Sequence, residues 1–191
     1  MQHTNQTLRV PGAPLAILVW VLVFLGHGLQ ESEDSRVDPI TVVCVRHAEK
    51  ASDGGSDPDL TDAGRERAER LGRMLSAAKV THLFSSPYAR TRQTLRPLAE
   101  MTELEPVEYD PADTVGLRER LLELTPGSTA VVSGHSNTVP ALVAALGGEV
   151  DDTRPSQWGE ILDHDAHDRA FLLVLDPERG LLDQVELRYG D

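Results

Sequence analysis

The feature that most constrains this chain is a nearly unbroken apolar run, Ile40 to Val45 (ITVVCV), that ends directly in Arg46-His47. A strand with one wet face alternates apolar and polar residues, so a run without alternation belongs in a sheet covered on both sides. A second such run, STAVVSGH, begins at Ser128, and helical patterns separate the two.

The segments alternate along the chain. After a loop rich in Gly, Asp, Ser and Pro (SDGGSDPD), the stretch LTDAGRERAERLGRMLSAAK reads as an amphipathic helix running to Lys79. Thr61 is its N-cap, Asp62 sits in its first turn, and Leu60, Ala68, Leu71 and Leu75 recur at helical spacing. A short strand at Thr81 to Phe84 leads into a second helix, SSPYARTRQTLRPLAE, with Pro near its start. PVEY is a brief third strand and DTVGLRERLLEL a third helix. NTVPALVAALGG is an apolar helix in which Pro140 is tolerated only in the first turn and Gly147-Gly148 ends the element. AFLLVLD and DQVELRY read as two final strands joined by a turn at Pro177 to Gly180. Strands and helices alternating at this spacing predict a three-layer α/β/α sandwich with a mostly parallel central sheet of about six strands.

The N-terminus reads differently. Residues 13–25 (APLAILVWVLVFL) carry no charge, follow Arg9, and give way to an acidic stretch. This is the pattern of a signal peptide or N-terminal membrane anchor over residues 1–28, with Gly26 and Gly28 offering a small-x-small cleavage site. The expected organisation is that leader, an acidic linker at 29–39, and one domain at 40–191, exported or membrane-anchored. The 18 basic and 31 acidic residues give a formal charge of −13, which repels nucleic acid and anionic lipid. Membrane contact is therefore expected only through the leader, and any phosphate must be bound by a local cluster of arginines. Cys44, the sole cysteine, reads as a small buried hydrophobe in its strand.

Open parallel sheets collect ligands at the C-terminal ends of their strands. There the sequence places Arg46-His47, then Ser85-Ser86 with Arg90, Arg92 and Thr94 in the following helix. Glu108, Tyr109 and Asp110 follow the third strand, and Gly134-His135-Ser136-Asn137 the fourth. These groups suit phosphoryl transfer. A neutral imidazole attacks phosphorus, forked guanidinium groups bind its oxygens, and a helix N-terminus adds free N–H groups. Fixed cations supply the electrostatic stabilisation, so neither metal nor cofactor is expected.

The blocks VRHAEK, SSPYARTRQT and GHSNTVPALVAALGG, with DPDLTDAGRERAERL as a first helix, resemble the signature blocks of the histidine phosphatase superfamily, in its phosphoglycerate mutase-like branch. The resemblance runs in order from Ile40 to Asp191. It implies that His47 is the nucleophile that becomes phosphorylated and that Arg46, Arg90 and His135 form the phosphate pocket. Ala48 stands where the family usually has glycine, and the Ser or Thr and the Asn that follow in mutases are absent, which argues against mutase activity.

The resemblance also implies a carboxylate after the third strand. Asp110, Asp113, Glu108 and Glu119 are candidates, and Asp110 is favoured by its position. Ser86 and Asn137 either touch the phosphoryl group or cap helices. Glu49 reads as a loop neighbour of the site and not its proton donor. In DHDAHD, His164 and His167 are three residues apart, but the segment reads as a loop with no third ligand, against a metal site. Trp158 lies in a loop and either lines a substrate entrance or packs. The expected activity is hydrolysis of a phosphomonoester, on a small molecule or phosphoprotein, through a phosphohistidine on His47. The alternatives are a phosphohistidine or phosphoramidate phosphatase, or a catalytically weak phosphate-binding module.

Overall fold

Strand β1 (Ile40–Arg46) forms where the sequence is most apolar, and Ile40, Val42, Val43, Cys44 and Val45 are each at most 1% exposed. Burying each of those aliphatic side chains is worth roughly 1.5–3 kcal/mol, which makes β1 the natural centre of a sheet. This computed structural model describes residues 38–53 and 55–190, so the expected leader and most of the acidic linker lie outside the described residues. Among the described residues no helix is long and apolar enough to cross a membrane.

Seven further strands follow: β2 (His82–Ser85), β3 (Val107–Glu108), β4 (Thr129–Gly134), β5 (Thr153–Ser156), β6 (Gly159–Leu162), β7 (Arg169–Asp176) and β8 (Gly180–Arg188). Six of the eight described strands form one sheet in the order β3-β2-β4-β1-β7-β8. The pairs from β3 to β1 are parallel, and β7 and β8 are antiparallel additions beside β1.

Helices α1 (Asp62–Leu75) and α2 (Ala89–Thr102) cover one face, packing Leu71, Leu75, Leu95 and Leu98 onto Val43, Val45, Leu83 and Val131. Helices α3 (Thr114–Leu122) and α4 (Thr138–Ala145) cover the other, where Leu117, Leu121, Val139 and Val143 meet Val42, Cys44, Val132 and Phe171. The alternating side chains of β1 thus feed two separate cores, as the unbroken apolar run predicted. The architecture is the expected mostly parallel α/β/α sandwich.

Local sequence explains the element ends. Thr61 Oγ1 accepts the Gly64 N–H at 3.0 Å and caps α1. That helix stops at Leu75 and does not reach Lys79, which takes a φ of 50°. Leu60, read from its spacing as part of the helical stripe, instead bridges to Lys50. Tyr88 offers α2 no side-chain cap, and the Asp57 carboxylate from the preceding loop accepts the Ala89 N–H in its place. Pro140 occupies the first turn of α4, and Gly147, at φ 93°, follows its end.

The β5–β6 hairpin was not expected from the sequence. It lies between α4 and β7, and Leu162 N–H donates to the Ser136 carbonyl at 2.8 Å, tying the hairpin to the turn after β4.

Candidate active site

Register brings the site together. Arg46 pairs across the sheet with Gly134, and Ser85 with Ser133, so β1, β2 and β4 end at one level. His47 N–H continues the ladder by one step, donating to the Gly134 carbonyl at 2.9 Å. Gly134 is needed there, because a Cβ would lie 2.7 Å from Thr138 Oγ1 and 3.1 Å from Tyr109 Oη. His135 then opens α4, with its N–H on Thr138 Oγ1 at 2.8 Å.

His47 is 4% exposed, and its Nδ1 lies 2.8 Å from the Ala48 carbonyl. A carbonyl only accepts, so Nδ1 carries the proton and the lone pair of the neutral ring is on Nε2. Burial pushes the imidazole down to about 3, and Arg46, His135 and Arg90 push the same way. At neutral pH His47 is therefore an uncharged base with a defined tautomer, the form a nucleophile at phosphorus requires.

Two guanidinium groups flank it. Arg46, 7% exposed, donates from Nη1 to the carbonyls of Asp163 and His164 at 2.7 and 3.1 Å, while its Nε is buried without a partner. Arg90 stacks 4.3 Å from the Tyr88 ring centroid, lies 3.5 Å from Asp57, and also has a buried, unpartnered Nε. Both guanidinium groups lie near enough to His47 to act on its charge, and such a grouping of fixed positive charge fits an anion site. Arg92 instead meets Glu108 at 3.7 Å and lines a surface groove of about 650 Å³ that shares no residue with the site.

The His135 ring stands edge-on to His47, with centroids 5.5 Å apart. Its Nδ1 lies 3.4 Å from Arg90 Nη2, and its Nε2 2.9 Å from Ser86 Oγ. A guanidinium only donates, so Nδ1 accepts and Nε2–H donates to Ser86. The Ser86 hydroxyl then donates to Thr91 Oγ1 at 2.8 Å, and Thr91 donates to the Tyr88 carbonyl at 2.8 Å. Burial, with Arg90 and Arg46 adding to it, holds His135 down at about 4, so it is neutral at pH 7. Ser86 is wholly buried and acts on the pocket through His135. Asn137, half-buried at the start of α4, makes no side-chain cap.

The candidate acids are placed apart from this group. Asp110 is exposed, and its Oδ1 accepts the Ala112 N–H at 2.9 Å in a local turn. None of its contacts is with His47, Arg46, Arg90 or His135. Asp113 caps α3 through Gly116 N–H, and Glu119 is exposed. Glu49 faces Arg67, which donates to both of its carboxylate oxygens at 2.7–3.0 Å.

Residues 42–120 match the family model described as histidine phosphatase superfamily (branch 1). This stretch, less than half of the chain, is similar to the histidine phosphatase superfamily. It is 34% identical over 77 residues to phosphoserine phosphatase 1 of Hydrogenobacter thermophilus, a match covering 37% of this chain and 36% of that protein. It is 38% identical over 76 residues to phosphoglycerate mutase-like protein 4 of Arabidopsis thaliana, covering 36% of this chain and 32% of that protein. The matched stretch thus spans about a third of the length of these curated relatives. The fold matches that of the protein histidine phosphatase SixA complexed with tungstate, at TM-score 0.60 and 21% identity over 78% of this chain and 97% of that one. A putative alpha-ribazole-5'-P phosphatase from Escherichia coli matches at TM-score 0.59 and 14% identity, over 79% and 97% of the two chains.

Within this fold, the alanine at position 48 is accommodated without strain. Lys79, Glu103 and Asp152 are the described non-glycine residues with positive φ, so Ala48 stands where glycine is not required. Its N–H donates to Thr94 Oγ1 at 2.9 Å, a contact that ties α2 to the end of β1. His167 was read only as half of an unsupported metal pair. It is 6% exposed and donates from Nδ1 to the His47 carbonyl at 2.8 Å, whereas His164 is exposed. Trp158, at the tip of the β5–β6 hairpin, is 70% exposed.

Proposed function

We propose that this chain is a phosphohydrolase that works through a phosphohistidine on His47, with phosphomonoesters as its substrate class. The observation that carries this reading is the His47 tautomer: Nδ1–H is tied to the Ala48 carbonyl, which leaves the lone pair on Nε2, and the Arg46 and Arg90 charges act on the same ring. His47 Nε2 attacks phosphorus, the bond from phosphorus to the leaving oxygen breaks, and the electron pair leaves with that oxygen. Water then attacks the phosphoryl group, the N–P bond breaks, and inorganic phosphate departs. Arg46 and Arg90 stabilise the equatorial oxygens in both steps. An arriving phosphoryl dianion favours the protonated form of His135, which then becomes a further donor. The name of one relative, phosphoserine phosphatase 1, agrees with phosphate-ester hydrolysis.

One observation favours a second reading, a phosphoramidate such as phosphohistidine as the substrate. The Asp110 carboxylate is occupied by its own turn, and the other candidate acids contact none of the four site residues. A phosphoramidate leaves once its nitrogen is protonated, and solvent at neutral pH supplies that proton to an imidazole.

Turnover of an activated aryl phosphate by wild type and His47→Gln tests the reaction class. Wild-type hydrolysis lost by at least 10³-fold in the variant supports the reading; a fully active variant contradicts it. We further propose export or membrane anchoring through residues 13–25, supported by their charge-free apolar sequence. Fractionation of cells producing the full chain tests this, and recovery wholly in the cytosol opposes it.

A further inference from the structure

The peptide unit that joins His47 to Ala48 is held at both edges. Its carbonyl accepts from His167 Nδ1 at 2.8 Å, and its N–H donates to Thr94 Oγ1 at 2.9 Å. The His47 ring is in turn fixed by its bond to the Ala48 carbonyl, one peptide further on. A shift of the 47–48 peptide carries Ala48 with it, and so moves the acceptor that sets the ring's tautomer and direction.

His167 is itself firmly placed. Its carbonyl accepts from Tyr189 Oη at 2.9 Å, and its N–H donates to the Asp165 carbonyl at 2.8 Å. The same segment is gripped by Arg46 through the carbonyls of Asp163 and His164. The two residues of the Arg46-His47 pair are thus both tied to one stretch of chain about 120 residues away. A carbonyl only accepts, so His167 Nδ1 carries a proton whatever the charge of the ring. The His167 and His47 rings are tilted at 49° with centroids 5.7 Å apart. A base in line with attack on phospho-His47 would stand beyond the phosphorus, farther from the ring than that flank position.

From these contacts we infer that His167 is a positioning residue for the nucleophile, whose Nδ1–H locks the 47–48 peptide and so keeps His47 in the Nδ1–H tautomer with Nε2 free to react. The inference rests on the reading of His47 as nucleophile for its kinetic consequence, but the tautomer itself is measurable without turnover.

Asparagine places an amide N–H where His Nδ1 stands, and glutamine places one farther out, near Nε2. The comparison of His167→Asn with His167→Gln therefore isolates donor position between two variants of similar polarity. With an activated aryl phosphate, His167→Asn is expected to keep kcat within about threefold of wild type. His167→Gln is expected to lower kcat by about 10–100-fold with KM nearly unchanged, the scale of loss a displaced nucleophile produces. ¹⁵N NMR of the unmodified proteins supplies the second readout: His47 is a single Nδ1–H tautomer in wild type and His167→Asn, and a mixture in His167→Gln. An unchanged His47 tautomer in a folded His167→Gln, whatever its kcat, overturns the inference. If His47 is not the nucleophile, the tautomer still follows donor position while kcat does not, which separates failure of the proposed function from failure of this inference.

Discussion

Ser86 Oγ lies 2.9 Å from Nε2 of His135, with the serine wholly buried, so Ser86 orients a pocket residue and does not itself face solvent or ligand. Ser86→Ala removes one neutral hydrogen bond, worth about 1 kcal/mol, and frees the His135 ring to rotate. The expected result is a loss of about 5–10-fold in kcat/KM for an activated phosphate ester, with the fold intact by circular dichroism. An unaltered kcat/KM would show that His135 needs no such restraint.

The site histidines make stability depend on pH in a definite direction. Burial holds His47 at about 3 and His135 at about 4, while in the unfolded chain both titrate near 6.5. Between those values the unfolded state binds more protons than the folded one, so stability rises with pH. The contribution is fully present above about pH 6.5 and is lost as pH falls toward 4 for His135 and toward 3 for His47. Melting temperature should drop between pH 6.5 and 4.5, before most carboxylates titrate, and drop less in a His47→Gln, His135→Gln double variant. A flat profile in wild type, or an identical slope in the variant, contradicts this.

Glu49 is a structural partner of Arg67, and no part in proton transfer is expected of it. Its carboxylate accepts three contacts from the Arg67 guanidinium, with both side chains largely shielded. Glu49→Gln should cost about 1–3 kcal/mol in chemical denaturation while changing kcat/KM by less than about threefold. A large activity loss at unchanged stability would give Glu49 a chemical role.

Asp110 is tied into the turn before α3, so the leaving group is expected to depart without its help. Asp110→Asn should alter kcat/KM by less than about threefold for both an aryl and an alkyl phosphate. A loss of more than tenfold confined to the alkyl ester would identify Asp110 as the general acid.

Much of this site was legible in the sequence because strand ends are marked there. ITVVCV followed by Arg46-His47 and STAVVSG followed by His135 announced buried strands with polar ends, and parallel register set those ends level. What escaped notice depends on antiparallel pairing and on backbone acceptors. Strand β7 runs antiparallel to β1 with Val45 opposite Ala170, so residues just before β7 lie beside residues just after β1. Reading AFLLVLD as a neighbour of β1 would have brought His167 next to His47. The β5–β6 hairpin was hidden because TRPS and GEIL are short, half exposed and interrupted by proline and glycine, with no period-two pattern to betray them. The role of Ser86 was masked by its resemblance to an ordinary capping residue.

The central claim is that phosphorus passes through His47 Nε2. The direct measurement is to mix the protein with a ³²P-labelled activated phosphate ester, quench in alkali within milliseconds, and locate the label by peptide mapping. The account predicts acid-labile, alkali-stable label on the peptide containing His47 and none on His47→Gln. Turnover without label in wild type, or label that persists in His47→Gln, would contradict it.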